Sequence, residues 1–366
     1  MEAVTEEDIA AKTGAGRGKQ KAGQPVRVAV AGATGYAGRE LIALLAGHPS
    51  VRLASLMSSG RSGNDPVAAE VSHPSLRGVA SVLIEPLNLE RLTLDEVDVA
   101  FLATPHEASH DLVPALLERG LRVIDLSAAF RLRDPGAYPG WYGFEHHAGR
   151  ALAEAVYGIP ELNAPAICEA RLVSNPGCYP TSAILALAPL LKAGVIDVGA
   201  GIICDSKSGA TGAGRSLRDD LLFANVNENC RAYGLFRHRH LPEMLQELDL
   251  SGESFIFTPH LLPVSRGILS TIYVRLSREC EQAELLQILQ NFYAQAPLVR
   301  VYADGRLPEI QAVARTQFAD LGVAVDSATR RAVIVSAIDN LGKGAAGQAV
   351  QNMNVMLGYP EDQGLR

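Results

Sequence analysis

The chain has 366 residues, 48% hydrophobic and 20% charged, with a formal net charge of −7. This length suggests two domains with full cores, and the acidic balance without a basic tract argues against nucleic acid as the main partner. Cysteines 168, 178, 204, 230 and 280 form no C-x-x-C pair and no apolar run reaches spanning length, which argues against a disulfide framework, a zinc knuckle or a membrane partner and fits a reducing, cytoplasmic setting.

Residues 1–25 read as a disordered extension without a signal-peptide core. A buried strand is predicted over 26–31, followed by Gly32-Ala33-Thr34-Gly35-Tyr36-Ala37-Gly38 and a helix over 39–45. Strand, glycine turn and helix are the setting of a dinucleotide site, where the backbone meets a pyrophosphate at a helix N-terminus. The spacing is G-x-x-G-x-x-G, and a tight turn without ligand is the competing reading. The next strand, 51–56, runs into Met57-Ser58-Ser59-Gly60-Arg61. An acidic residue there would hold a ribose 2′-OH. Hydroxyls and an arginine instead suit a 2′-phosphate, so Ser58, Ser59 and Arg61 point to NADP; a solvated loop is the alternative.

Strands are predicted at 97–103 and 123–127 around a helix at 107–118. Alternating strands and helices indicate an α/β fold with a Rossmann-type doubly wound parallel sheet. Ligand then lies at the strand C-termini. Residues 130–143 read as loop-rich.

A strand-like run at 171–173 ends in Ser174-Asn175-Pro176-Gly177-Cys178-Tyr179-Pro180-Thr181, followed by an apolar helix through 191. Pro180 suits the first helical turn. Cys178 therefore sits at a helix N-terminus, where free N–H groups and the macrodipole favour a thiolate. A buried structural cysteine is the competing reading. Further on, a strand at 200–205 feeds the Gly-rich stretch 206–215, which could wrap an anion through backbone N–H groups and Arg215 or serve as a flexible connector. Cys204 lies in that strand and reads as core. His238-Arg239-His240-Leu241-Pro242-Glu243 heads a short helix. No third ligand accompanies the two histidines, so no metal is assigned; they are either exposed loop residues or one of them partners Cys178. Strands are predicted at 269–276, 299–302 and 311–314, with a helix at 282–295, so this half reads as α+β. A last strand at 332–338 precedes Asp339-Asn340-Leu341-Gly342-Lys343-Gly344 and a long helix from 345 to 357. That glycine loop suits phosphate or nicotinamide contact, or is a plain connector.

Together these motifs resemble the larger (type 1) form of the N-acetyl-γ-glutamyl-phosphate reductase family, in order from 26 to 358. The matching stretches are the glycine turn 32–38, the cysteine stretch 174–181, 208–215, 238–243, 259–268 and 342–348. Two positions depart from the family pattern: Ala129 stands where Asp is usual, which bears on a local hydrogen bond near Arg131, and Thr104 where Leu is common. The resemblance implies a semialdehyde dehydrogenase-like architecture. Residues 26–176 would form the NADP-binding domain, completed by 331–366, and 177–330 the catalytic and dimerisation domain. It implies NADPH-dependent reduction of N-acetyl-L-glutamyl 5-phosphate in arginine biosynthesis, by a homodimer or homotetramer. Cys178 would be the nucleophile and His240 the acid and base. Gly32, Thr34, Gly35, Tyr36, Ala37, Gly38, Ser58, Ser59, Arg61, Asn340 and Gly344 would meet the cofactor. Ser208, Gly209, Arg215, His238, Glu243 and Arg266 would meet the substrate. Aspartate-semialdehyde dehydrogenase is a rival, although its cysteine usually precedes Asn rather than Tyr179-Pro180. A lysine-pathway reductase acting on a carrier-bound aminoadipyl phosphate is another. A NADP-binding module with Cys178 as redox sensor is a third.

Overall fold

The computed structural model describes residues 24–58 and 65–366. The extension expected over 1–25 falls outside the described residues except for its last two, and so do Ser59 and Arg61. The first sheet holds β1 (Val26–Ala31), β2 (Val51–Met57), β3 (Val67–Ala68), β4 (Leu83–Glu85), β5 (Val99–Leu102), β6 (Arg122–Asp125), β7 (Val156–Tyr157) and β8 (Leu172–Ser174). Its order is β3-β4-β2-β1-β5-β6-β8-β7. All pairs are parallel except β3 with β4. The central strands are almost wholly apolar, interrupted by Arg27 near the start of β1 and Ser174 at the end of β8, and buried on both faces, as a doubly wound sheet requires. Between these strands run α1 (Tyr36–Ala46), α2 (His106–Glu118) and α3 (Pro160–Glu169).

The second sheet holds β9 (Ile202–Ser208), β10 (Arg231–Ala232), β11 (Phe255–Leu261), β12 (Ile268–Arg275), β13 (Val299–Val301), β14 (Ala319–Asp326) and β15 (Arg331–Ile338), in the order β10-β11-β9-β12-β15-β14-β13. Burial alternates along β9, β11 and β12. One face packs against α4 (Cys178–Lys192), with α5 (Leu241–Leu248) and α6 (Gln282–Phe292) beside it. The other face leaves Ile203, Ile256 and Tyr273 exposed.

The structure corrects three expectations. β15 lies between β12 and β14 in the second sheet, so the return to the first sheet begins after residue 338, not at 331. Residues 311–313 belong to a short helix, Ile310–Val313, which Ala314 closes, and the strand not expected there is β14. The loop-rich stretch 130–143 contains a short helix, Tyr138–Tyr142. After β15 the chain makes a π-helical turn, Gly342–Ala346, into α7 (Gly347–Leu357). α7 packs back on α1 and α3. Gln348, Gln351, Asn352 and Asn354 are buried there, and each hydrogen-bonds to another segment. Buried amides need such partners, so α7 docks in one register.

Candidate active site

β8 ends at Ser174, and the chain turns through Asn175, Pro176 and Gly177 into α4. Gly177 caps the helix and Cys178 is its first residue. Asn175 fixes the turn from several directions. Its N–H donates to Asp125 O (2.8 Å), its Oδ1 accepts from Asn352 Nδ2 (3.0 Å), and its carbonyl accepts from Arg131 Nε (2.9 Å). Two glycines then let other segments close on the cysteine. A Cβ on Gly177 would lie 2.6 Å from His240 Nε2, so the imidazole rests directly on the backbone next to Cys178. A Cβ on Gly344 would lie 2.8 Å from Cys178 Cβ. The structure thus brings Cys178, His240 and Gly344 together from three distant parts of the chain.

Burial sets the electrostatics. It pushes the Cys178 thiol up to about 11, against a smaller opposing pull from the Tyr179 backbone N–H. The acidification expected from the helix N-terminus is therefore outweighed by desolvation. Burial likewise holds His240 well below the usual histidine range, helped by the charges of His238, Arg131 and Arg239. The resting pair is a neutral thiol and a neutral imidazole. The His240 backbone N–H donates to His238 Nδ1 (3.1 Å), while Nδ1 of His240 is buried without a partner. His238 packs edge-on against Tyr179 and Phe257, with ring centroids 5.4 Å away in both cases. Burial and Arg239 bring it down to about 4.

Glu243, one helical turn after His240, is fully buried beneath the site rather than open to substrate. Its carboxylate accepts from the Gly177 N–H (3.0 Å), Tyr157 Oη (2.9 Å), Arg131 Nη1 (3.0 Å) and Tyr142 Oη (3.4 Å). It therefore joins the nucleophile turn to the histidine helix. Arg131 completes its own bonding with Leu126 O (2.8 Å). Its guanidinium is satisfied without an acid at 129, so Ala129 costs it no partner. Sequence reasoning missed these positioning roles of Arg131, Tyr142, Tyr157 and Asn175. The available signal was one buried-type carboxylate three residues after the histidine, which demands several donors.

The other predicted substrate residues divide. Ser208 ends β9 and Gly209 follows it; a Cβ on Gly209 would meet Arg266 N at 2.7 Å, so the loops at 208–215 and 262–267 are stacked. Arg215 Nη1 donates to Thr34 O (2.8 Å) in the glycine turn. Arg266 pairs with Glu40 of α1 and with Asp339 (3.3 Å). Both arginines thus tie the second sheet's loops to the first sheet's end. Asn340, expected at the cofactor, uses its side chain on these loops: Oδ1 accepts from Gly267 N (2.8 Å) and Nδ2 donates to Thr211 Oγ1 (3.0 Å). Lys343 is buried, donating to Glu161 (2.6 Å) and Gln351 (2.5 Å).

The glycine turn fits a dinucleotide. Gly32 has φ +83°, and a Cβ there would lie 2.2 Å from Ala103 O. A Cβ on Gly38 would lie 2.3 Å from Gly32 O. Gly35 caps α1 with no side chain and no acid follows in the first turn, so the helix end stays open to an anion. At the end of β2, Ser58 Oγ is buried without a partner among the described residues, and the sequence that follows the strand, Ser58-Ser59-Gly60-Arg61, carries no acid. Among the described residues no group of three or more His, Cys, Asp or Glu side chains could hold a metal.

Residues 27–170 match the family described as semialdehyde dehydrogenase, NAD binding domain, and 178–340 the semialdehyde dehydrogenase, dimerisation domain. The chain is 49% identical over 343 residues to N-acetyl-gamma-glutamyl-phosphate reductase of Pelotomaculum thermopropionicum, covering 93% of this chain and 97% of that one. It is 48% identical over 344 residues to the reductase of the same name from Desulfotalea psychrophila, covering 93% and 98%. The chain belongs to the N-acetyl-gamma-glutamyl-phosphate reductase family. The fold of this reductase family member is shared with aspartate semialdehyde dehydrogenases. That of Vibrio cholerae (enzyme II) superposes with a TM-score of 0.68 at 19% identity, covering 91% of this chain and 99% of that one. That of Candida albicans, solved with NADP, gives 0.67 at 15%, with 91% and 99% coverage. At those identities only the fold is shared, and the reductase relatives decide the family.

Proposed function

We infer that this protein reduces N-acetyl-L-glutamyl 5-phosphate to N-acetyl-L-glutamate 5-semialdehyde and phosphate, the arginine-biosynthesis step of its family. The observation that carries this reading is the seating of the His240 ring on Gly177, beside Cys178 at the start of α4. The Cys178 sulfur attacks the acyl carbon while its proton passes to His240. The carbon–oxygen bond to phosphate breaks, phosphate departs, and a thioester remains on Cys178. Splitting the reaction this way replaces one hard step by two easier ones. NADPH, when bound, supplies the hydride. His240 holds the thiol proton and gives it to the substrate oxygen that becomes the hemithioacetal hydroxyl. On collapse the C–S bond breaks, and that proton returns through His240 to the sulfur. A neutral resting pair suits this route, because the proton moves only as the new C–S bond forms.

Residues 32–38 would hold the pyrophosphate, and Gly344 would bound the nicotinamide side next to Cys178. The absence of an acid after β2 and the orphaned Ser58 hydroxyl support NADP over NAD. The exposed Ile203, Ile256 and Tyr273 on the outer face of the second sheet and the match to a dimerisation domain support a homodimer, or a tetramer built from it. The unpaired state of all five cysteines supports a cytoplasmic setting.

The test is the reverse assay with N-acetylglutamate semialdehyde, phosphate and NADP. Phosphate-dependent NADPH formation is expected, with kcat/KM on the order of 100-fold above that for aspartate semialdehyde. A preference for aspartate semialdehyde would overturn the substrate assignment, and a preference for NAD would overturn the cofactor.

A further inference from the structure

An acyl phosphate brings a dianionic group to within bonding distance of the nucleophile, and some cation must meet it there. Arg215 and Arg266 do not stand free for this. Arg215 is bonded to Thr34 O, and Arg266 lies between Glu40 and Asp339. Arg131 acts on the Cys178 sulfur, but its donors are taken by Glu243, Asn175 and Leu126. Arg239 is different. It occupies the corner of the tight turn closed by Leu241 N to His238 O (2.9 Å), between the two histidines whose rings face inward at 4.8 Å from one another. Its side chain is exposed and has no hydrogen-bond or ion-pair partner among the described residues. Its charge nevertheless acts on Cys178, His238, His240, Tyr142 and Tyr233, groups that line the site from four separate segments. A guanidinium that flanks both histidines in the chain, carries its charge to these groups and has no partner among the described residues suits a phosphate.

We propose that Arg239 receives the phosphoryl group of the substrate as it approaches Cys178, and holds inorganic phosphate when the reaction runs backward. This rests on the reductase reading above. In the backward direction a phosphate oxygen attacks the thioester carbon. The new C–O bond forms as the C–S bond breaks; His240, holding the proton released from the hemithioacetal hydroxyl, gives it to the sulfur, and the phosphate proton goes to solvent water. Arg239 offsets the charge of the attacking group throughout.

The experiment is the reverse assay on Arg239→Gln and Arg239→Lys, with phosphate, semialdehyde and NADP varied in turn. The KM for phosphate should rise about 10- to 100-fold in Arg239→Gln, the span for losing a charged hydrogen-bond donor. The other two KM values should stay within about twofold, and Arg239→Lys should recover part of the loss. A phosphate KM unchanged in an active Arg239→Gln overturns the proposal alone. A rise confined to the semialdehyde KM also overturns it, and moves Arg239 to the substrate carboxylate. A wild-type enzyme without phosphate-dependent turnover overturns the reductase reading as well. Should Arg239→Gln be too slow to assay, protection of Cys178 from iodoacetamide by inorganic phosphate decides the matter. Protection in wild type that is lost in the variant supports the proposal, and equal protection in both overturns it.

Discussion

At Gly177 the missing side chain is what allows an imidazole to lie against the nucleophile's backbone. Its φ of −67° is open to any residue, so the requirement is space and not conformation. Gly177→Ala puts a methyl group 2.6 Å from His240 Nε2. The ring cannot slide away freely, because His238 and Tyr179 pack against it. The chain should fold, but kcat should fall about 10- to 100-fold, since displacements near 1 Å carry that penalty. Unchanged kcat in a stopped-flow or steady-state assay would show that the ring position is not needed. The residues at this scale were unevenly legible. Cys178 and His240 could be picked out because a helix start and a histidine-rich helix head are local patterns. The thiol's raised pKa could not, because it comes from burial by segments far away in sequence. Glu243 was misread for the same reason: a carboxylate beside a histidine looks like a substrate contact until Gly177, Tyr157 and Arg131 converge on it.

Among the elements, those with an uninterrupted apolar run or a clear glycine boundary were readable. β1, β5, α4 and β12 fall within a few residues of their expected bounds. β11 was hidden by Pro259, which usually marks a break. The strand tolerates it because the neighbour on one side is only the two-residue β10. β14 contains Gly322 and, at its second position, a buried aspartate, Asp320, that accepts from Arg300, so its apolar pattern is broken twice. β15 was recognised as a strand but placed in the wrong sheet. Its sequence specifies burial, whereas its pairing with β12 and β14 depends on their positions. The turn at 342–346 was read as a phosphate loop. Its glycines also serve close packing, Gly342 on Thr316 and Gly344 on Cys178, which places the turn beside the nucleophile as a nicotinamide contact requires.

Over the whole molecule, the site exists only where the two sheets meet. Arg266–Glu40, Arg215–Thr34 and the docking of α7 hold that meeting together. Doubly wound topology and the cofactor turn were readable from the first half, but this clasp joins residues hundreds of positions apart. The molecule also buries several histidines in neutral form. Desolvation lowers His48, His73 and His240, and brings His146 and His238 to about 4. A depressed folded pKa adds stability above the ordinary histidine value and forfeits it as pH falls, because the unfolded chain then binds more protons. Tm should therefore decline as pH is lowered from about 7 to about 4.5. A thermal melt series showing a flat or rising Tm over that window would refute the buried neutral state. The central claim is that Cys178 carries the acyl group. Intact-mass measurement after mixing the enzyme with N-acetylglutamate semialdehyde and NADP, without phosphate, tests it most directly. One acyl adduct per chain, mapped to the Cys178 peptide and discharged by phosphate, is predicted; NADPH formed with no adduct, or an adduct on the exposed Cys230, would contradict it.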